Sequence, residues 1–83
     1  MTYLVLTRRM PTFRSDVLPE HYRFLQKLRK VGQLECAGPF SDGSGGAYIL
    51  QANSLDEARA TALCDPLRIA GCSDVEIFEW NPS

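Results

Sequence analysis

The sequence has no long hydrophobic run: no stretch approaches the roughly 20 apolar residues that a helix needs to cross a bilayer. The opening segment, MTYLVLTRRM, lacks the basic start and the apolar length of a secretory signal peptide, and its arginines follow the apolar residues. We therefore expect a cytoplasmic protein that does not act at a membrane.

Histidine and cysteine are scarce, with one histidine and three cysteines in the chain. Cys36, Cys64 and Cys72 have no paired spacing, so no zinc motif of the CxxC or HxxxH kind is present. An odd number of unpaired thiols is typical of a reducing compartment. These absences predict a protein without a metal and without an organic cofactor.

An excess of one charge sign is missing as well, since the formal net charge is -1. A nearly neutral chain argues against nucleic-acid binding through phosphate neutralisation. The charge is uneven, however: residues 1–34 hold seven Lys and Arg and two acids (net +5), whereas residues 35–83 hold two Arg and eight acids (net -6). These groups are either solvated surface charges or, for Arg8 and Arg9, side chains that hold an anionic ligand.

What is present is an ordinary globular composition, 45% apolar and 23% charged. The length of 83 residues predicts a single domain, residues 1–83. A chain this short buries only about 60% of its unfolded surface, so association with another chain is a reasonable way to bury more.

Hydrophobic periodicity and turn signals predict four strands and two helices. SLDE has the spacing of a capping box and predicts that Ser54 starts the second helix. A strand follows the glycine-rich SDGSGG, which therefore predicts a hairpin connection rather than a phosphate cradle. The predicted strands are Thr2–Arg9, Gln33–Phe40, Gly46–Asn53 and Asp74–Asn81; the helices run from Pro19 to Val31 and from Ser54 to about Asp65, with PLRIAG as a turn or an extra helical turn.

This β-α-β-β-α-β order predicts an α+β, ferredoxin-like fold, with a four-stranded antiparallel sheet and two helices on one face. The first strand is apolar on both faces (Tyr3 and Val5, Leu4 and Leu6), which predicts a central position. The face without helices keeps apolar residues. We therefore expect a homodimer with the sheets face to face, a dimeric α/β barrel.

His21 lies on the apolar side of the first predicted helix, flanked by Phe24, Leu25 and Leu28. Asp65 lies near the end of the second. A carboxylate near an imidazole can fix its tautomer and stabilise its charged form, as for a general base with an orienting acid. Alternatively, the two residues form a hydrogen bond that only satisfies two buried polar groups.

Several segments in order resemble the YCII-related family over nearly the whole chain. They are the helix histidine His21, the run GxLxxAGP from Gly32 to Pro39, the helix start SxxEA from Ser54 to Ala58, and Asp65–Pro66 followed by Gly71. The resemblance implies a dimeric ferredoxin-like protein with a histidine/aspartate site, which maps onto His21 and Asp65.

One activity associated with that family is the dehydrochlorination of a chlorinated hydroxyhydroquinone. By this resemblance His21 is the base and Asp65 stabilises the imidazolium. From strand position alone, we expect Arg8 or Tyr48 to hold a phenolate oxygen of a small-molecule substrate, with Pro39 as a further substrate-binding residue. The connection after GPF is shorter than in many relatives, which predicts a more open pocket. Three hypotheses stay open: a cofactor-free lyase, a non-catalytic small-molecule-binding dimer, and a structural or regulatory dimer without a pocket.

Overall fold

The computed structural model describes all 83 residues and contains one four-stranded antiparallel sheet in the order β2-β3-β1-β4. The chain therefore has the ferredoxin-like fold that the element order predicts. β1 is central and Pro39 ends the edge strand β2, where a residue without a backbone N–H is tolerated. In chain order the elements are β1 (Thr2–Arg9), α1 (Leu18–Lys30), β2 (Leu34–Pro39), β3 (Gly45–Gln51), α2 (Leu55–Ala62), α3 (Pro66–Ile69) and β4 (Ser73–Glu79).

Local sequence signals explain where the helices begin. Pro19 lies in the first turn of α1, where its missing N–H would have no helical partner. The side chain of Ser54 caps α2 by accepting a hydrogen bond from the Glu57 N–H at 3.1 Å, as the capping-box spacing predicts.

The second helix is shorter than the sequence suggests. α2 ends at Ala62, and Asp65 is the N-cap of the separate helix α3 rather than the last residue of α2. Pro66 accounts for the break, because a proline disfavours helical geometry in the residue before it. PLRI forms the extra helical turn that was one of the two expectations for this segment.

The hydrophobic core lies between the sheet and the helices. Tyr3, Val5 and Leu50 are fully buried there, because alternate strand residues point to the same face. On the opposite, open face, Leu4, Leu6 and Ile49 are only half-buried. No helix has the length and hydropathy that crossing a membrane requires.

Candidate functional site

A cavity of about 290 Å³ lies on the helix-covered side of the sheet, between α1 and the strands β1, β2 and β3. Its volume is at the lower end of the range of small-molecule sites, which suits a ligand of roughly one ring. Hydrophobic side chains line much of it, among them Phe13, Leu18, Leu25 and Leu67. The polar side chains in the lining are Thr7, Arg9, His21, Tyr22, Gln26, Arg29, Tyr48 and Ser73.

His21 and Asp65 meet at this cavity. Nδ1 of His21 lies 2.9 Å from Oδ1 of Asp65. The imidazole side chain is 12% exposed and lines the cavity, whereas the carboxylate behind it is fully buried. Because an ionised carboxylate only accepts hydrogen bonds, Nδ1 is the donor. In the neutral ring Nε2 then carries the lone pair that can take a proton.

The backbone around α3 fixes the carboxylate. Oδ1 of Asp65 also accepts a hydrogen bond from the Leu67 N–H at 2.9 Å, the geometry of a helix N-cap. The same oxygen therefore holds both the start of α3 and the His21 ring. Such a partner determines which imidazole nitrogen carries hydrogen and how the ring is oriented.

Three buried oxygen atoms near this pair have no hydrogen-bond partner: Oδ2 of Asp65, the hydroxyl of Tyr48 and Oγ of Ser73. Tyr48 and Ser73 line the cavity. Burial, followed by the charge of Asp65, raises the pKa of Tyr48, so its hydroxyl stays protonated and can donate. Unpartnered buried polar groups are uncommon, and those lining a cavity are candidates to bind polar atoms of a ligand.

Gly46 lines the cavity at a point where the backbone of β2 leaves no space for a side chain. A Cβ on Gly46 would lie only 2.7 Å from the carbonyl oxygen of Gly38 on β2, so no larger residue fits without moving the backbone. The Gly46 N–H donates to Oγ1 of Thr7 at 3.1 Å. SDGSGG is thus a hairpin connection, as expected, but its last two glycines, Gly45 and Gly46, also line the cavity.

The structure brings only some of the expected ligand-binding residues to the cavity. Pro39 and Tyr48 line it. Arg8 does not, because its side chain lies on the open face of the sheet, where it pairs with Glu76 at 3.3 Å. Arg9, one residue further along β1, points to the helix side instead, lines the cavity and stacks over the Phe13 ring at 4.1 Å.

Sequence reasoning missed Arg29, Ser73 and Thr7. Arg29 could have been found, because it lies two helical turns after His21 and shares part of its helix face. Ser73 and Thr7 gave no signal, since an isolated hydroxyl residue in a strand has no recognisable pattern. No group of three or more His, Cys, Asp and Glu side chains could hold a metal ion.

The chain is similar in sequence to a known domain family and to a curated protein. The model of the YCII-related domain matches residues 1–81. The uncharacterized protein YjpA of Bacillus subtilis (strain 168) is 44% identical over 80 residues, which are 96% of this chain and 94% of that protein.

Solved structures agree on the fold. The 5-chloro-2-hydroxyhydroquinone dehydrochlorinase TftG of Burkholderia phenoliruptrix AC1100, in complex with 2,5-dihydroxybenzoquinone, superposes with a TM-score of 0.84 and 23% identity, over 100% of this chain and 96% of that chain. Muconolactone isomerase superposes with a TM-score of 0.79 and 13% identity, over 100% and 91% of the two chains. At these identities the likeness establishes a shared fold.

Proposed function

The chain belongs to the YCII-related domain family, and we propose that it is a cofactor-free lyase whose His21 and Asp65 act on a small hydroxylated ring. The carrying observation is the 2.9 Å contact between a partly exposed imidazole that lines a cavity and a fully buried carboxylate. A base held by an acid in this way suits proton transfer, which contributes roughly 10²–10⁴-fold to a rate.

The roles follow from the hydrogen bond. Nε2 of neutral His21 takes a proton from the substrate, and the carboxylate of Asp65 stabilises the imidazolium that forms. Tyr48 remains a neutral donor and binds a substrate oxygen; Pro39 provides an apolar contact. Arg9 takes the place expected for Arg8, because Arg9 lines the cavity and Arg8 does not.

Dehydrochlorination of a chlorinated hydroxyhydroquinone is the reaction that we propose for this site. In the keto form of that ring, the carbon that carries chlorine also carries hydrogen. When a base removes the proton of the conjugated hydroxyl, the C–O bond of that hydroxyl becomes a carbonyl. The adjacent ring double bond shifts towards the carbon that carries chlorine, and chloride leaves with the electrons of the C–Cl bond. The products are a hydroxyquinone, one proton and one chloride, so no oxidant is needed. The fold shared with TftG makes this the first substrate to test.

The test is incubation of the purified protein with 5-chloro-2-hydroxyhydroquinone under anaerobic conditions, with chloride and quinone measured together. Equal amounts of both products, formed faster than in a heat-denatured control, support the lyase. Absence of enhanced release at any pH between 6 and 9 overturns this reaction.

A second candidate function is a small-molecule-binding module without turnover. It is favoured by the additional role of Asp65, whose Oδ1 caps α3 and would therefore be required for the fold alone. The distinguishing result is a ring compound that binds in the cavity, perturbs the His21 NMR signals and is recovered unchanged.

We also propose that the protein is a homodimer through the open face of the sheet. Two large aromatic side chains on this face are exposed, Phe78 to 47% and Trp80 to 40%. Trp80 lines a second, shallow apolar groove together with Leu4 and Ile49, and Phe78 lies opposite Leu4 on the neighbouring strand. A contiguous apolar surface of this kind is typical of an interface, and a second copy of the same face would cover it.

The three cysteines, all unpaired, fit the proposed cytoplasmic location.

A further inference from the structure

We propose that the cavity binds its substrate as an oxyanion, through Arg9 and Arg29, so that the substrate class is a small planar ring with a carboxylate or an ionised hydroxyl. This inference rests on the proposed use of the His21 cavity as the substrate site, and it narrows the chemistry of the ligand.

The cavity lining carries positive charge. Arg9 and Arg29 line the cavity, and none of its lining residues is Asp or Glu. The chain as a whole has ten acids and nine Lys and Arg, so a lining without a carboxylate is not a consequence of composition. The nearest buried carboxylate, Asp65, is already bonded to His21 and to the backbone of α3.

Arg9 and Arg29 have no ion-pair partner within the fold. The ion pairs of the fold involve Arg8, Arg14, Arg23 and His21; neither Arg9 nor Arg29 is paired with a carboxylate. Their guanidinium groups are therefore free to form charge-assisted hydrogen bonds to a ligand. Guanidinium matches the planar, two-oxygen geometry of a carboxylate particularly well.

The side chain of Arg9 is preorganised at the cavity. The guanidinium of Arg9 stacks over the ring of Phe13 at 4.1 Å, and both residues line the cavity. Stacking on the Phe13 ring restricts the Arg9 side chain. The N–H groups at the edge of the guanidinium plane stay available to donate to a ligand. Because less rotational freedom is lost on binding, a stacked arginine binds an anion more effectively than a mobile one.

The apolar part of the lining favours a ring over a bare anion. Leu18, Leu25 and Leu67 contribute hydrophobic surface, and the hydroxyls of Tyr48 and Ser73 can bind further ring oxygens. Leu18 opens α1 at the cavity, but its backbone N–H already donates to the Ser15 carbonyl and Pro19 has no N–H. The first two residues of this helix therefore offer no free N–H group to a phosphate. The cavity therefore fits a ligand that carries one anionic oxygen group on a mostly apolar ring.

Binding of three inert probes tests the proposal: benzoate, 4-nitrophenolate at pH 9, and the neutral benzyl alcohol. Affinities are measured by isothermal titration and the site of binding by chemical shifts of the His21 ring. We expect at least one of the two anions to bind more tightly than benzyl alcohol, and the better one identifies a carboxylate or an ionised hydroxyl as the recognised group. Affinity should weaken as salt is raised, since both arginines are exposed.

The matched variants are Arg9→Gln, Arg29→Gln and Arg23→Gln. The first two should each weaken anion binding about tenfold and leave benzyl alcohol unchanged, as expected for loss of one charge-assisted contact. Arg23→Gln is the control, because Arg23 lies on the same helix but pairs with Glu20 outside the cavity.

Equal binding of anions and benzyl alcohol, or undiminished anion binding in the Arg9→Gln/Arg29→Gln double variant, overturns the proposal. Competition by inorganic phosphate at equal concentration also overturns it, since it would indicate a phosphate site. The lyase proposal fails separately: if the wild type binds benzoate or nitrophenolate through these arginines but releases no chloride, the anion site stands without the reaction.

Discussion

The two faces of the sheet present different surfaces, although the strands that form them are similarly apolar. On the helix side, Tyr3 and Val5 are fully buried and the sheet ends in a cavity with arginine, histidine and hydroxyl groups. On the open side, Leu4 and Leu6 are half-buried, and the groove beside them is lined mostly by apolar residues. Polar groups that converge on a concave space are typical of a binding site, whereas a shallow apolar surface is typical of an interface.

Arg8 and Arg9 show how sharply the strand separates these surfaces. They are neighbours in the chain, yet Arg8 pairs with Glu76 on the open face and Arg9 lines the cavity. Successive side chains of a strand point to opposite faces, so one step along β1 moves a guanidinium from the proposed interface to the proposed site.

The largest expected effect comes from placing a charge on each face in turn. Leu50 is fully buried on the helix side and Ile49 is half-buried on the open side. Leu50→Asp should destabilise the fold by about 4–5 kcal/mol or more, because an unpaired carboxylate enters the core. Ile49→Asp should instead leave a folded monomer. Thermal melts and sedimentation at micromolar concentration measure the two outcomes.

Ser41→Asp is the control for added charge, since Ser41 lies exposed in the β2–β3 connection. This variant should be as stable as the wild type and should have the same sedimentation coefficient. A wild-type protein that is monomeric at micromolar concentration contradicts the assignment of the open face as an interface.

The next effect concerns the base. His21→Ala should lower kcat of chloride release by roughly 10²–10⁴-fold and leave the protein folded, because the helix start tolerates a small residue. The measurements are the rate of chloride release and a thermal melt of the variant. If His21→Ala melts well below the wild type but keeps proportionate activity at low temperature, the residue is structural.

Asp65→Asn separates the two roles of the carboxylate. Asparagine can still accept a hydrogen bond from the Leu67 N–H, so the cap of α3 should survive. It cannot stabilise an imidazolium by charge, and kcat should fall, though less than in His21→Ala. Asp65→Ala also loses the cap of α3, so its free energy of unfolding in a denaturant titration should be lower by a further ~0.5–2 kcal/mol. Full activity in Asp65→Asn would show that the charge has no catalytic role.

The smallest effect concerns Tyr48. Its pKa in the fold is raised above the ordinary value of 10.0 by burial and by Asp65. The unfolded chain therefore loses this proton first as pH rises, so the stability that the neutral tyrosine contributes is complete below about pH 10 and declines above it. Tyr48→Phe should flatten this alkaline decline in urea titrations at pH 8 to 11.

At neutral pH the same variant should be about as stable as the wild type, because the Tyr48 hydroxyl has no partner within the chain. Its kcat/KM should fall about 2–10-fold, the value of one neutral hydrogen bond to substrate. An unchanged kcat/KM would show that this hydroxyl does not contact the substrate.

Local sequence signals determined the fold. The order of elements, the Ser54 cap, the hairpin at SDGSGG and the central position of β1 all follow from patterns within a few residues of each other. The pairing of His21 with Asp65 was predictable as a hypothesis from the same element order and the family resemblance. The geometry supports that hypothesis with a direct contact at 2.9 Å.

The tertiary structure alone decided which residues share the site. β1 is apolar on both faces, so its sequence does not say which face the helices cover, and the choice between Arg8 and Arg9 depends on that. Pro66 makes Asp65 the cap of α3 locally, but only the packing of α3 against α1 brings its carboxylate to His21. Ser73, Thr7 and Arg29 are brought to the cavity by strand pairing and helix docking across distant parts of the chain. Element order is local, but a cavity forms only where distant elements pack, and that is why its polar lining had to be read from the folded chain.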